Sequence, residues 1–109
     1  MELAAQNPPD LGRIRELVRP ICDRHLVSRM QVFGSVASAE DSAGSDVDLL
    51  VEFIPEAHAG LLEMAGLKEE LELRLGCSVD LVSRVAIERS RNPYRKRSIL
   101  ASPVTVYAR

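Results

Sequence analysis

The 109-residue sequence predicts an α/β or α+β domain, a small β-sheet covered by helices. Three observations carry that expectation. Short apolar runs bounded by turn residues recur at positions 30–33, 46–53 and 78–83. Leucine, isoleucine and valine return at helical spacing on either side of these runs. The hydrophobic fraction of 46% and charged fraction of 28% are those of an ordinary globular chain with one core.

The elements follow in order. Residues 1–9 read as a flexible N-terminal arm, with Pro8-Pro9 ahead of Asp10, a good helix cap, so that 10–109 is expected to form a single domain. Leu11, Ile14, Leu17, Val18, Ile21 and Leu26 then repeat at helical spacing. Pro20 within that pattern predicts a bend or a broken hydrogen bond. The run 30–33, ending at Gly34, predicts a buried strand meeting a tight turn. Residues 35–39 are small and suit a one-turn helix capped by Ser35, and 40–45 read as a polar loop. A second strand spans 46–53 and stops at Pro55.

Residues 58–75 place Leu61, Met64, Leu67, Leu71 and Leu75 on one helical face that ends at Gly76. Gly60 and Gly66 weaken this helix, each by about 1 kcal/mol against alanine. A third buried strand is expected at 78–83. Positions 85–100 predict a basic helical segment broken near Asn92-Pro93, and 104–107 a short last strand. There is no internal repeat and no low-complexity tract.

Composition narrows the function. A net charge of −2 gives no drive toward nucleic acid or anionic membrane, and 4% aromatics without tryptophan offer no base-stacking surface. No direct nucleic-acid binding is therefore expected. No apolar run approaches the ~20 residues that span a bilayer, and the N-terminus lacks a signal-peptide pattern, so the expected location is cytoplasmic. Cys22 and Cys77 match neither a metal spacing nor a disulfide framework and read as reduced, partly buried thiols. His25 and His58 have no metal-spaced neighbours and read as structural or surface residues. Tyr94 and Tyr107 read as packing residues first, and as acceptors for self-modification second.

The chemistry is expected in residues 33–51, FGSVASAEDSAGSDVDLLV. In a strand, positions i and i+2 share a face, so Asp46 and Asp48 point one way while Val47, Leu49 and Val51 anchor the other side. An isolated D-x-D also describes two solvated acids at a strand start. Three neighbouring features favour a metal site. Gly34 permits close approach to the backbone, and a helix opening at Ser35 would present free N–H groups to an anion. Asp80 lies between Val79 and Leu81, where desolvation is costly unless compensated, and can face the same side as the pair. The polar loop between Gly34-Ser35 and the D-x-D leaves an open cleft, with Ser45 beside the carboxylates. Oxygen ligands next to a phosphate cradle are what Mg²⁺-nucleotide chemistry uses.

Gly34-Ser35, ten residues, Asp46-Val47-Asp48 and a downstream Val79-Asp80-Leu81-Val82 together resemble the nucleotidyltransferases of the DNA polymerase beta superfamily. More narrowly they resemble the minimal nucleotidyltransferase (MNT) group, over roughly residues 32–82. The resemblance implies a polymerase-beta-like fold, with Gly34, Ser35 and Ser45 at the nucleotide. It also implies Asp46, Asp48 and Asp80 as catalytic carboxylates ligating Mg²⁺, in two ions, with ATP as substrate. Val36 and Ser38 stand where many relatives carry basic residues, and Ala39 where they carry glycine.

Relatives of this kind act as antitoxins to HEPN-domain ribonuclease toxins, so the resemblance implies AMP transfer to a hydroxyl, a partner tyrosine, and a homo- or hetero-oligomeric assembly. Two alternatives accompany it: an antitoxin that neutralises by contact with its nucleotide site idle, and a small-molecule transferase of the aminoglycoside type. Charge is also uneven along the chain. Residues 40–72 hold ten acids against Lys68, whereas 84–97 hold Arg84, Arg89, Arg91, Arg95, Lys96 and Arg97 against Glu88. Such a run reads either as a solvated helix face or as a surface for an acidic partner, RNA or nucleotide phosphates.

Overall fold

A computed structural model of the chain describes residues 9–34 and 46–109. Its elements are α1 (Leu11–Arg24), β1 (Val27–Phe33), β2 (Val47–Phe53), a 3-10 turn (Pro55–Ala57), α2 (Leu61–Leu75), β3 (Val79–Ser83), α3 (Arg84–Glu88), α4 (Pro93–Leu100) and β4 (Val104–Ala108). The strands form one mixed sheet in the order β3-β2-β1-β4, as the α/β expectation requires. β1 is antiparallel to both neighbours, while β2 and β3 are parallel. A parallel pair needs a long crossover, and α2 supplies it.

The Asp10 side chain caps α1, accepting the Arg13 N–H at 2.8 Å, and Ile14, Val18, Ile21 and Cys22 form its buried stripe. Pro20 removes one backbone donor, yet the helix runs on to Arg24 because Ile21 and Cys22 hold the last turn in the core. Leu26 is not part of that helix. It takes a positive φ of 60° in the turn, so β1 starts at Val27, earlier than the expected 30. At this turn the His25 Nε2 lies 2.8 Å from Glu70, and Arg24 pairs with the same carboxylate. Burial, then Arg24, hold the imidazole below its ordinary pKa, with its Nε2 against the Glu70 carboxylate.

The crossover helix is shorter than its sequence pattern. Gly60 is its N-cap, with the Glu63 carboxylate accepting the Gly60 N–H at 2.7 Å, so only Gly66 of the two glycines lies inside it. His58 precedes the helix, in the left-handed region after the 3-10 turn. Leu67, Leu71 and Leu75 are buried as expected and Met64 packs at their margin, but Leu61 is 89% exposed. The buried stripe of α2 meets the core only from Met64 onward. Gly76 closes the helix at φ 72°, its N–H donating to the Glu72 carbonyl.

The sheet is covered on both faces. Val47, Leu49 and Val51 join Met30, Val32 and Val79 against α1 and α2, forming the main core. On the other face Leu50 packs with Ile87 of α3 and Ile99 of α4, bordered by Phe33 and Val82. The basic segment is thus two helices, separated at Asn92, whose side chain caps α4 by accepting the Tyr94 and Arg95 N–H groups. Both cysteines are free, Cys22 in the core and Cys77 half-buried. Burial, with the nearby Asp23 charge adding to it, pushes the Cys22 thiol up to about 12. Tyr107 donates its hydroxyl to Asp23, whereas Tyr94 is 78% exposed and does not pack. Among the described residues no helix is long and apolar enough to cross a membrane.

Leu71 is fully buried in the main core, so Leu71→Ala is expected to destabilise the fold by about 2–5 kcal/mol. The midpoint of urea unfolding checks this; a change under about 1 kcal/mol would mean that α2 does not carry the core.

Candidate active site

The site is assembled where β1 ends and where β2 and β3 begin. Asp48 is the register partner of Phe33 on one side and of Asp80 on the other. Directly paired residues point to the same face of a sheet, so Asp48 and Asp80 stand side by side on adjacent strands. Asp46 lies two positions before Asp48, at the mouth of the same strand. Leu50, next on that face, is the residue covered by α3 and α4. The carboxylates therefore occupy the open end of a face whose lower part is closed by apolar packing.

The three acids differ in environment. Asp48 is 8% exposed and is the buried carboxylate of the site. Asp80 is exposed, contrary to the expectation of a buried strand interior. The reason is topological: β3 is an edge strand with a neighbour on one side only. The desolvation penalty argued for Asp80 thus falls on Asp48 instead. The Asp46 carboxylate turns toward Ser78 and accepts from its N–H at 3.3 Å and its hydroxyl at 3.4 Å. In return the Asp46 N–H donates to the Ser78 carbonyl at 3.2 Å.

Gly34 is where the expectation and the geometry meet most closely. Its φ of 77° is a left-handed conformation, and a Cβ placed there would overlap the Asp48 Oδ2. Only glycine lets the end of β1 pass so near this carboxylate. Ser35 and Ser45, the other expected nucleotide residues, and the expected short helix at 35–39 lie outside the described residues, as do positions 1–8 of the arm.

Several supporting groups escaped the sequence reading. The Glu72 carboxylate accepts the Val79 N–H at 3.0 Å and approaches Lys68 at 3.4 Å, fixing the start of β3 one residue before Asp80. The Val79 N–H above all, with help from Lys68, holds the Glu72 carboxyl below the usual carboxylate range. Gln31, buried one row behind Asp48, accepts from Arg84 at 2.7 Å and donates to Thr105 at 3.2 Å. A glutamine inside the run Met30-Gln31-Val32-Phe33 was the available signal. Burial, then the Asp46 and Glu72 charges, push the Cys77 thiol above its ordinary value, a sign of the negative field at this end of the sheet.

Residues 14–104 match the model of the nucleotidyltransferase domain family. The chain belongs to that family. Its relatives include a Methanocaldococcus jannaschii protein provisionally named protein adenylyltransferase MJ1379, 37% identical over 93 residues, which cover 82% of this chain and 90% of the relative. A solved structure of a provisionally assigned minimal nucleotidyltransferase is 40% identical, with a TM-score of 0.64 over 88% of this chain and 95% of that one. The MNT antitoxin fold recurs in the complex of a tri-AMPylated Shewanella oneidensis HEPN toxin with its MNT antitoxin. That match has a TM-score of 0.63 at 15% identity, over 91% of this chain and 73% of the other. This last match is one of fold.

As a nucleotidyltransferase, the chain has a donor set suited to a hard divalent cation. All three candidate ligands are carboxylates, two of them abreast, which matches the oxygen preference of Mg²⁺. They are not gathered into one cluster: among the described residues no group of three or more His, Cys, Asp or Glu side chains forms a cation cage. Asp46 is drawn aside by Ser78, and mutual repulsion favours that spread.

Two outcomes test this reading of the site. Gly34→Ala in the nucleotidyltransferase should force Asp48 to move and weaken Mg²⁺-ATP binding at least about tenfold by calorimetry. Unchanged binding would remove Gly34 from the site. Glu72→Ala should cost no more than about 1 kcal/mol at neutral pH, because the carboxylate is part-exposed. Since folding lowers the Glu72 pKa, that difference is fully present above its ordinary 4.5 and disappears as pH falls through the lowered folded value. Parallel unfolding curves of both proteins at neutral pH and near pH 3 measure it.

Proposed function

We propose that the protein is a Mg²⁺-dependent adenylyltransferase that moves AMP from ATP to a hydroxyl, a tyrosine of a HEPN-type partner, and thereby acts as its antitoxin in the cytoplasm. The observation that carries this is the pairing of Asp48 with Asp80 beside the glycine that ends β1. Family membership and the adenylyltransferase names of the relatives supply the reaction class. The AMPylated HEPN toxin bound to an antitoxin of this fold supplies the class of partner.

In this reading Asp46, Asp48 and Asp80 hold Mg²⁺ against the triphosphate, with Gly34, Ser35 and Ser45 at the phosphates. Mg²⁺, when bound, offsets the charge that develops on the phosphate oxygens. The exposed Asp80 carboxylate takes the proton of the acceptor hydroxyl, and that oxygen bonds to the α-phosphorus. The bond from the α-phosphorus to the bridging oxygen breaks, and pyrophosphate leaves with the electron pair. Asp48, held rigid by core packing on both sides of its strand, fixes the position at which this occurs.

A second reading has its own observation. The segment after Ser35 carries no basic residue, Val36 and Ser38 standing at positions where the family resemblance implies positive charge toward the phosphates. That favours an antitoxin that neutralises its partner by contact alone. The two readings part in one experiment. The protein is incubated with ATP, Mg²⁺ and the HEPN-domain protein encoded beside it, and intact mass is recorded. The partner should gain mass in multiples of AMP. Asp46→Asn and Asp48→Asn should each lower that gain by more than the roughly 100-fold that a change outside the ligand set costs. Full neutralisation by the double Asn variant, without mass gain, would sink the enzymatic account.

A further inference from the structure

The segment left unassigned by the reaction is the basic pair α3–α4. These helices are not a solvated appendage. Ile87 and Ile99 pack on Leu50, so α3 and α4 cover the same sheet face that carries Asp48, directly behind the acid row. Their outward side is strongly cationic. Arg89, Arg91, Arg95 and Arg97 are exposed and Lys96 is half-buried, and none of these side chains forms an ion pair among the described residues. Cations elsewhere do pair, as Arg84 does with Glu88 on α3, but among the described residues these five do not.

A shallow, open groove of about 370 Å³ lies on one face of α4, lined by Pro93, Lys96, Arg97, Leu100 and Ala101. Positions 93, 96, 97 and 100 are one helical face, so the groove has an apolar floor and a positively charged wall. Leu100 also borders the Leu50 cluster, so the groove is tied mechanically to the strand bearing Asp48. Unpaired cations around an apolar floor complement a segment that presents an aliphatic side chain between carboxylates. Nucleic acid fits this less well. Phosphates would satisfy the cations, but the floor offers nothing to them, and Tyr94 is the one strongly exposed aromatic among the described residues.

We infer that the α4 groove, with Lys96 and Arg97 on its wall, is the docking site for an acidic amphipathic helix of the acceptor protein. This rests on the acceptor being a protein, as proposed above. Charge complementarity chooses the occupant, and helix-in-groove recognition is the matching mode. In a symmetric pairing α4 would meet the same cationic face of a second copy, and like-charge repulsion opposes that pairing. Docking here would hold the acceptor on the sheet face that carries Asp48 and Asp80 without using either residue.

The test uses a fluorescein-labelled helical peptide of about four turns, with leucines at helical spacing and glutamates flanking them. Fluorescence anisotropy should report saturable binding to the full chain, weakened at roughly 300 mM salt. Lys96→Gln/Arg97→Gln should weaken it at least about tenfold, and Arg91→Gln/Arg95→Gln by a smaller factor. Asp46→Asn/Asp48→Asn should bind the peptide as the unsubstituted chain does, so failed AMP transfer leaves this result standing. In the transfer reaction, Lys96→Gln/Arg97→Gln should raise the KM for the acceptor and leave that for ATP unchanged. Equal peptide binding by that variant and the unsubstituted chain would overturn the proposal. So would tighter binding of a single-stranded oligouridine than of the peptide.

Discussion

The parallel pairing of β2 with β3 is the constraint on which the rest depends. Side chains alternate along a strand, so a slip of one residue would send Asp80 to the opposite face and leave Asp48 without a neighbour. The register is set by the row before the acids, where Val47 meets Val79 in the main core. It is pinned further by two polar contacts at the strand starts, Asp46 with Ser78 and Glu72 with the Val79 N–H. None of these residues lies close in sequence to both strands at once. The crossover through α2 brings them together, and its buried leucines make that connection rigid.

Placing carboxylates at the end of such a sheet requires that their cost be distributed. A buried carboxylate is expensive to desolvate, and several placed together also repel. Here one acid is buried, one is exposed on the edge strand, and one is occupied by a serine. The edge position of β3 therefore has chemical as well as structural meaning: it keeps Asp80 in water, where an approaching hydroxyl could reach it. One row behind Asp48, a polar chain from Arg84 through the buried Gln31 to Thr105 places a cation on the same side of the sheet. That cation comes from the first residue of α3, so the helix covering this face also contributes to its electrostatics.

Much of this was legible in the sequence, for reasons that differ by element. Helical periodicity identified the stripes Ile14-Val18-Ile21 and Leu67-Leu71-Leu75 because each buries one continuous face. Asn92-Pro93 marked the break in the basic segment because both residues favour a new helix start. The D-x-D, the glycine at the end of β1 and Asp80 were visible as local patterns. What a local pattern cannot show is which strand lies at an edge, and so Asp80 was expected in a buried strand although it is exposed. The same limit hid Ser78 and Glu72, whose roles exist only once β3 is laid beside β2. Leu61 and Leu26 fit the helical periodicity, yet Leu61 opens α2 ahead of its buried stripe and Leu26 lies in the turn after α1.

The uneven charge of the chain then acquires a spatial meaning. Acids concentrated in residues 40–72 include the pair at the mouth of β2, while the cations of 84–97 lie on helices packed against the same strand's other residues. A net charge of −2 conceals this separation, because a sum over the whole chain does not show where its acids and cations lie. The acid row at one end of this sheet face and the cations of α3–α4 behind it form a fixed gradient, from acids that attract a cation to cations that attract an acid. A macromolecular acceptor with an acidic segment is oriented by such a gradient even before contact: its carboxylates are drawn to α3–α4 and repelled from the acid row. That orientation would present one end of the acceptor, and not another, to the proposed site at Asp80.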